Sequence, residues 1–271
     1  MNNQIGFIGG GNMAQAIITG LLNSGRSSSD ILVSEPNPVC RNTLGAMGVS
    51  CSKQSGPVIA QADLIVLAVK PQIMDTVLAE LSPSLQATQT IISIAAGITI
   101  GSIRQQLDNA PNAIVRVMPN TPALIGQGMS VLASDLPLDG TTKNAVQEIF
   151  NPCGKALWVG SEDVMDAVTA VSGSGPAYFF LMIENLINTG VRLGLAPEVA
   201  RELVVQTAKG AAGMVEVSNV GPDELRQRVT SPGGTTEAAL GVFNDGDFAD
   251  LVDRALVAAR DRAGELSKDA P

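Results

Sequence analysis

The sequence predicts an α/β fold in two parts, a doubly wound, mainly parallel sheet over residues 1–160 followed by an all-helical domain over residues 161–271. Three observations carry this. Short β-rich runs alternate with helix-compatible segments through the first part, as successive βαβ units require. From about Glu162 the chain changes to long Ala-, Leu- and Val-rich stretches, broken at Gly194-Leu195-Ala196-Pro197, Val220-Gly221-Pro222 and Thr230-Ser231-Pro232-Gly233-Gly234. And the N-terminal strand runs into Gly9-x-Gly11-x-x-Ala14, the strand-to-helix turn of a Rossmann-type dinucleotide-binding sheet.

Taken in order, the first strand is Ile5–Ile8. Gly9 allows the tight turn, Gly11 lets the backbone approach a pyrophosphate, and Ala14 lets helix and strand pack closely. The helix that continues through Gln15 to Leu22 offers the unpaired N–H groups of its first turn to phosphates. The remaining strands are expected at Ile31–Ser34, Leu64–Val69, Thr90–Ala95, Ala113–Val117, Met129–Ala133 and Ala156–Val159. Ligands of such sheets sit beyond the carboxyl ends of the strands, so Ser34-Glu35-Pro36, Val69-Lys70-Pro71, Ala95-Ala96-Gly97 and Met118-Pro119-Asn120 should line one crevice. No Gly/Ser-rich or Pro-rich linker separates the two parts, and the boundary is set near residue 160 by the change of pattern alone.

Composition narrows the function. With 271 residues and 45% apolar content the chain has ample material for a core. Its net charge of −9, without a basic cluster, argues against nucleic acid. The apolar run Leu64–Val69 is far shorter than the roughly 18 residues of a membrane span, and with no Lys or Arg before Arg26 a signal peptide is not expected. Cys40, Cys51 and Cys153 are odd in number and not closely paired, which reads as reduced, inert thiols in a cytoplasmic protein. The absence of His removes the commonest general acid/base and the commonest ligand of transition metals. No metal site is expected, and any chemistry runs without imidazole.

Two motifs in the helical part stand out. Ser172-Gly173-Ser174-Gly175-Pro176 precedes a helix and reads first as capping and close helix approach, with Pro176 in the first turn. Ser231-Pro232-Gly233-Gly234-Thr235-Thr236 precedes another helix, starting near Thr235. There two glycines leave backbone N–H groups accessible and three hydroxyls lie close by, which is a carboxylate site in an acidic protein. The helix from about Ala177 to Gly194 carries apolar residues almost all round, from Tyr178, Phe179 and Phe180 to Val191 and Leu193. One core needs a stripe of only about 100°, so part of this surface should face a second copy of the chain.

Together the segments Gly6-Phe7-Ile8-Gly9-Gly10-Gly11-Asn12-Met13-Ala14, Ala68-Val69-Lys70-Pro71, Arg116-Val117-Met118-Pro119-Asn120-Thr121-Pro122, Ala170-Val171-Ser172-Gly173-Ser174-Gly175-Pro176-Ala177-Tyr178 and Ser231-Pro232-Gly233-Gly234-Thr235-Thr236 resemble those of pyrroline-5-carboxylate reductase. They fall in order along nearly the whole chain. The resemblance implies reduction of 1-pyrroline-5-carboxylate to L-proline by hydride from NAD(P)H, the last step of proline biosynthesis, in a homo-oligomer whose dimers assemble further, commonly into a ring of five. It implies Thr236 as the hydroxyl at the ring nitrogen. Ser231, Gly234 and Thr235 would hold the carboxylate, with Glu162 and Arg228 also at positions near the substrate.

For the cofactor, NADP(H) with NAD(H) as a second candidate, the resemblance implies a pyrophosphate loop of Ile8, Gly9, Gly10, Gly11, Asn12 and Met13. Ser34 and Ser55 fall at the adenosine ribose region, Val69 and Lys70 at the strand end, and Ala96 beside the nicotinamide. Ser55 replaces the Asn common in the family, and Glu35 stands where an acid ordinarily favours the free 2′-hydroxyl of NAD. Two other readings remain. A β-hydroxyacid dehydrogenase shares the glycine turn, but its catalytic Lys is missing from the helix after Pro176. A cofactor-sensing module without turnover would have no use for the Ser231 to Thr236 loop.

Overall fold

The computed structural model describes residues 3–108 and 110–269; the outer limits of the two expected domains, residues 1 and 271, lie outside these. Among the described residues there are eight strands: β1 (Ile5–Ile8), β2 (Ile31–Ser34), β3 (Ser50–Ser52), β4 (Leu64–Leu67), β5 (Thr90–Ser93), β6 (Ile114–Met118), β7 (Gly128–Ser134) and β8 (Gly154–Trp158). They form one sheet in the order β3-β2-β1-β4-β5-β6-β7-β8. All neighbours are parallel except β6 and β7, which pair antiparallel. The order runs outward from β1 in one direction and from β4 in the other, so β1 and β4 flank the switch point at which doubly wound sheets hold their ligands.

Both faces of the central strands are covered, and successive residues go to opposite cores. Ile5, Phe7, Leu64, Val66, Ile92, Val115 and Val117 pack with Ile17 and Leu21 of α1 (Asn12–Asn23), and with Val146 and Ile149 of the helix Gly140–Phe150. Ile65, Leu67, Ile91 and Ile114 pack with Met74, Leu78 and Leu81 of the helix Met74–Leu81, and with Ile100 and Ile103 of the helix Ile100–Gln106. Each fully buried side chain of this size contributes about 1.5–3 kcal/mol. That burial holds the strand ends, and therefore the ligand crevice, in place.

The other helices of the first half are α2 (Pro38–Ala46) and α3 (Gly56–Ile59); the three just named are α4, α5 and α6 in chain order. β3 is the one strand the sequence reading passes over. It is a three-residue polar edge strand, too short to show alternation. β4 and β5 end at Leu67 and Ser93, two residues before the ends expected for them, and β8 begins at Gly154.

The chain divides into two compact units, one formed by residues up to Ser174 together with those from Ala259 onward, the other by Gly175–Ala258. The first unit continues past residue 160 because Met165, in α7 (Met165–Val168), is buried against Val131 and Ala133 of β7. The second holds α8 (Gly175–Arg192), α9 (Pro197–Val217), α10 (Pro222–Arg228), α11 (Thr235–Asp245) and the start of α12 (Phe248–Asp269). α9 and α10 each open on the proline of an expected break, a residue suited to a helix start. The last turns of α12 belong to the first unit, where Ala263 is buried and the backbone of Leu266 lies against Gly97.

Candidate active site

The turn after β1 is built as the glycine spacing requires. Gly9 has φ +100°, and a Cβ there would lie 2.5 Å from the Ala68 carbonyl oxygen. Its N–H donates to the carbonyl of Ser34 at 2.8 Å, tying the loop to the end of β2. Gly11 is the residue before α1, where no side chain caps the helix, and a Cβ on it would meet nothing within 4 Å. The open space and the uncapped first turn of α1 fit a dinucleotide pyrophosphate.

A cleft of about 950 Å³ opens over the carboxyl ends of these strands. Of the residues expected at the cofactor, Ile8, Gly9, Gly11, Ser34, Ser55, Val69 and Lys70 line it together. Gly10 is engaged in the loop itself: its N–H donates to Glu35 Oε2 at 2.6 Å and its carbonyl accepts from Gln15 Nε2 at 2.7 Å. Asn12 is exposed beside a separate cavity of about 290 Å³, and Met13 packs on the core beneath α1. Ala96 is exposed in the turn after β5. The sequence reading missed Lys53 and Gln54, which follow β3, and Cys40, Ile73 and Val77, all on the same cleft.

Glu35 does not play the part its position suggests. It is 8% exposed, and its two oxygens accept the N–H of Gly10 at 2.6 Å and of Asn37 at 2.7 Å. The Arg41 guanidinium bonds to the carbonyls of Glu35 and Pro36, each at 2.7 Å. The carboxylate braces the glycine loop.

Glu162 also has structural work. Its Oε1 pairs with Arg116 at 2.8 Å and accepts the Ile100 N–H, at the start of α5, at 2.9 Å. The Arg116 side chain is only 6% exposed. The pair ties β6 and the start of α5 to the turn leading into α7. Nearby, Asn120 Nδ2 donates to the Ser172 carbonyl at 3.1 Å, while its Oδ1 accepts the Met129 N–H at 2.9 Å. Thr169–Gly173 is a π-helical turn, and a Cβ on Gly173 would lie 2.7 Å from Met118 Cε. The Ser172 to Pro176 motif therefore serves close approach, with Pro176 in the first turn of α8.

In the second unit the carboxylate motif forms the start of α11. Gly234 precedes the helix without a side-chain cap, and its N–H is taken by the Ser231 carbonyl at 3.0 Å. The first intrahelical bond is from Ala238 to Gly234, which leaves the N–H groups of Thr235 and Thr236 pointing out of the first turn. Ser231 and Thr235 are exposed and Thr236 is half-buried. Glu237 folds back, accepting the Gly233 N–H at 2.6 Å. Arg228, three residues before the loop, forms an exposed pair with Glu224 at 2.7 Å.

Of the three thiols, Cys153 is buried, while Cys40 and Cys51 are partly exposed. Burial pushes Cys153 up to about 11 and raises Cys51 as well.

Comparison with known proteins bears on both units. Residues 162–266 match the family model for pyrroline-5-carboxylate reductase dimerisation, and residues 4–97 match that for NADP oxidoreductase coenzyme F420-dependent. The chain is 44% identical to the pyrroline-5-carboxylate reductase of Pseudomonas aeruginosa, over 98% of this chain and 97% of that one. Its structure resembles that of a pyrroline-5-carboxylate reductase from Coxiella burnetii, with TM-score 0.93, 39% identity and coverage of 98% and 99% of the two chains. It also resembles Plasmodium falciparum pyrroline carboxylate reductase with NADP bound, with TM-score 0.88, 35% identity and 98% of each chain covered.

Proposed function

Since the chain belongs to the pyrroline-5-carboxylate reductase family, we infer that it reduces 1-pyrroline-5-carboxylate to L-proline with NADPH, the last step of proline biosynthesis. The observation that carries this is similarity over both units at once: a glycine turn with an open pyrophosphate space in one, and a helix start with free N–H groups and hydroxyls in the other. Bound NADPH supplies the hydride, which goes to the C=N carbon. The ring nitrogen arrives protonated from solvent, because a cyclic imine is basic enough to need no strong enzymic acid. A site without His therefore suffices if it orients the substrate.

The residues divide that task. Gly9, Gly10 and Gly11 shape the loop for the pyrophosphate, Asn12 and Met13 begin the helix that faces it, and Ile8, Ser34, Ser55, Val69 and Lys70 form the walls. Ala96 bounds the nicotinamide end. The Thr235 and Thr236 N–H groups, the Gly234 turn and the Ser231 hydroxyl receive the substrate carboxylate. The Thr236 hydroxyl bonds the ring nitrogen, and Arg228 adds positive charge near the loop. Glu162 contributes through Arg116.

The proposed working unit is a homodimer built on residues 161–271, with residues 1–160 as the cofactor domain, and further assembly into a ring of dimers. The helical unit has little core of its own. In α8 only Gly175 is buried, in α9 only Ala200, and in α10 and α11 no residue. Phe179 and Phe180 are 70% and 62% exposed. Such a surface far exceeds the scattered apolar residues of a monomer and matches an obligate interface. A cytoplasmic location fits three unpaired cysteines and, among the described residues, no helix long and apolar enough to cross a membrane.

Nicotinamide absorbance followed with 1-pyrroline-5-carboxylate, with NADPH and NADH in parallel, tests the function. Oxidation of both is expected, faster with NADPH, in a species that sediments as a dimer or larger at low micromolar concentration. No oxidation of either would sink the enzyme, and full activity in a monomer would sink the dimer. For Thr236→Val we expect loss of about 0.5–1.5 kcal/mol of transition-state stabilisation, roughly 2- to 10-fold in kcat/KM, with NADP⁺ affinity retained. An unaltered kcat/KM in the folded variant removes Thr236 from the mechanism.

A further inference from the structure

We propose that Lys53 is the residue that reads the 2′-phosphate of NADPH; the inference rests on the cofactor reading above. The register of the sheet edge places it. Ser34 of β2 pairs with Ser52 of β3, and the Glu35 N–H donates to the Ser52 carbonyl at 2.9 Å. Lys53 is the next residue, so the chain leaving β3 runs beside the turn Glu35-Pro36-Asn37, and both segments line the same cleft. In doubly wound sheets the adenosine ribose sits at this strand end. Its 2′ substituent therefore meets the side chains that follow β2 and β3.

Two features decide which substituent this corner suits. The acid that would receive a free 2′-hydroxyl is turned into the glycine loop, where each oxygen of Glu35 accepts a backbone N–H and the residue is almost fully buried. Its charge is further balanced by Arg41, whose guanidinium bonds to the carbonyls of the same turn. A phosphate dianion at this corner thus meets a Glu35 that is largely buried and engaged with the glycine loop. Lys53 is exposed, and no hydrogen bond or ion pair engages it among the described residues. Among the described residues only Lys53 and Lys70 bring positive charge to the cleft lining, and Lys70 lies beyond β4, on the other side of β1 from β2. The ammonium supplies a point charge for the phosphate, with the Ser55 hydroxyl and the Gln54 amide alongside as donors.

Calorimetric titration of the full chain with NADP⁺, NAD⁺, 2′,5′-ADP and 5′-ADP tests the assignment without turnover. For Lys53→Gln we expect NADP⁺ and 2′,5′-ADP to bind roughly tenfold or more weakly, as loss of a charge-assisted bond implies. NAD⁺ and 5′-ADP should change less than twofold. Lys53→Arg should recover most of the lost affinity, and the salt dependence of NADP⁺ binding should flatten in Lys53→Gln. Equal losses for all four ligands would place Lys53 at the pyrophosphate or adenine and overturn the proposal, as would unchanged NADP⁺ affinity. A parent protein that fails to bind NADP⁺ overturns the cofactor reading itself, whereas one that binds NADP⁺ without regard to Lys53 overturns only this inference.

Discussion

Gly9→Ala is expected to lower both stability and activity, while Gly11→Ala, two residues on, should lower cofactor affinity alone. At Gly9 the φ of +100° strains any side chain, and the new Cβ would meet the Ala68 carbonyl at 2.5 Å, so the loop must move away from β4. Strain of this kind costs about 1–3 kcal/mol, a fall of roughly 2–12 °C in Tm for a unit of this size. Displacement of the loop by about 1 Å should cost on the order of 100-fold in kcat/KM. Gly11 has an ordinary φ of −71°, and its Cβ would enter empty space. Gly11→Ala should keep its Tm and instead crowd the pyrophosphate by about 1–3 kcal/mol, roughly 5- to 150-fold in NADP⁺ affinity. Thermal melts and NADP⁺ titrations of the two variants check this contrast. A destabilised Gly11→Ala, or a Gly9→Ala indistinguishable from the parent, would contradict the geometry.

Glu162→Ala should be the most destabilising single change at the site. It leaves the Arg116 guanidinium, 6% exposed, and the Ile100 N–H without their acceptor. Breaking a buried pair from one side costs about 3–5 kcal/mol, and partial exposure of Glu162 puts this case at the lower end. A fall of roughly 6–12 °C in Tm follows. Glu162→Gln retains an amide oxygen for both donors and should recover part of that loss. The substitution also separates two roles. If Glu162 acts only by holding Arg116 and α5, KM for the imine recovers in Glu162→Gln along with Tm. If its carboxylate touches the substrate, KM stays high in a stable Glu162→Gln enzyme.

These two cases show what local sequence conveys. β1 and β2 fall at the expected residues because short apolar runs bounded by Gly, Ser and Pro leave little choice of register. The glycine loop, Ser34, Val69 and Lys70 were legible because a doubly wound sheet gathers its strand ends at one place. Lys53 and Gln54 were not, because they reach the cleft through β3, whose Ser50-Cys51-Ser52 carries no periodic signal. The use of Glu35 was hidden for a different reason. An acid at the end of β2 is plain in the sequence, but its capture by the N–H of Gly10 is a contact between residues 25 positions apart. Arg116 and Glu162 likewise meet only through the folded sheet.

The return of α12 to the first unit sets an order on synthesis. Leu266 covers the Gly97 turn and Gly264 lies against Asp166, so the cofactor unit gains its last elements only when the far end of the chain leaves the ribosome. At ~5–20 residues per second, the stretch from Ser174 to Ala259 takes on the order of ten seconds to translate. A nascent chain stalled within that interval would carry every residue of the dinucleotide cleft yet lack the turns of α12 that lie against Gly97 and Asp166.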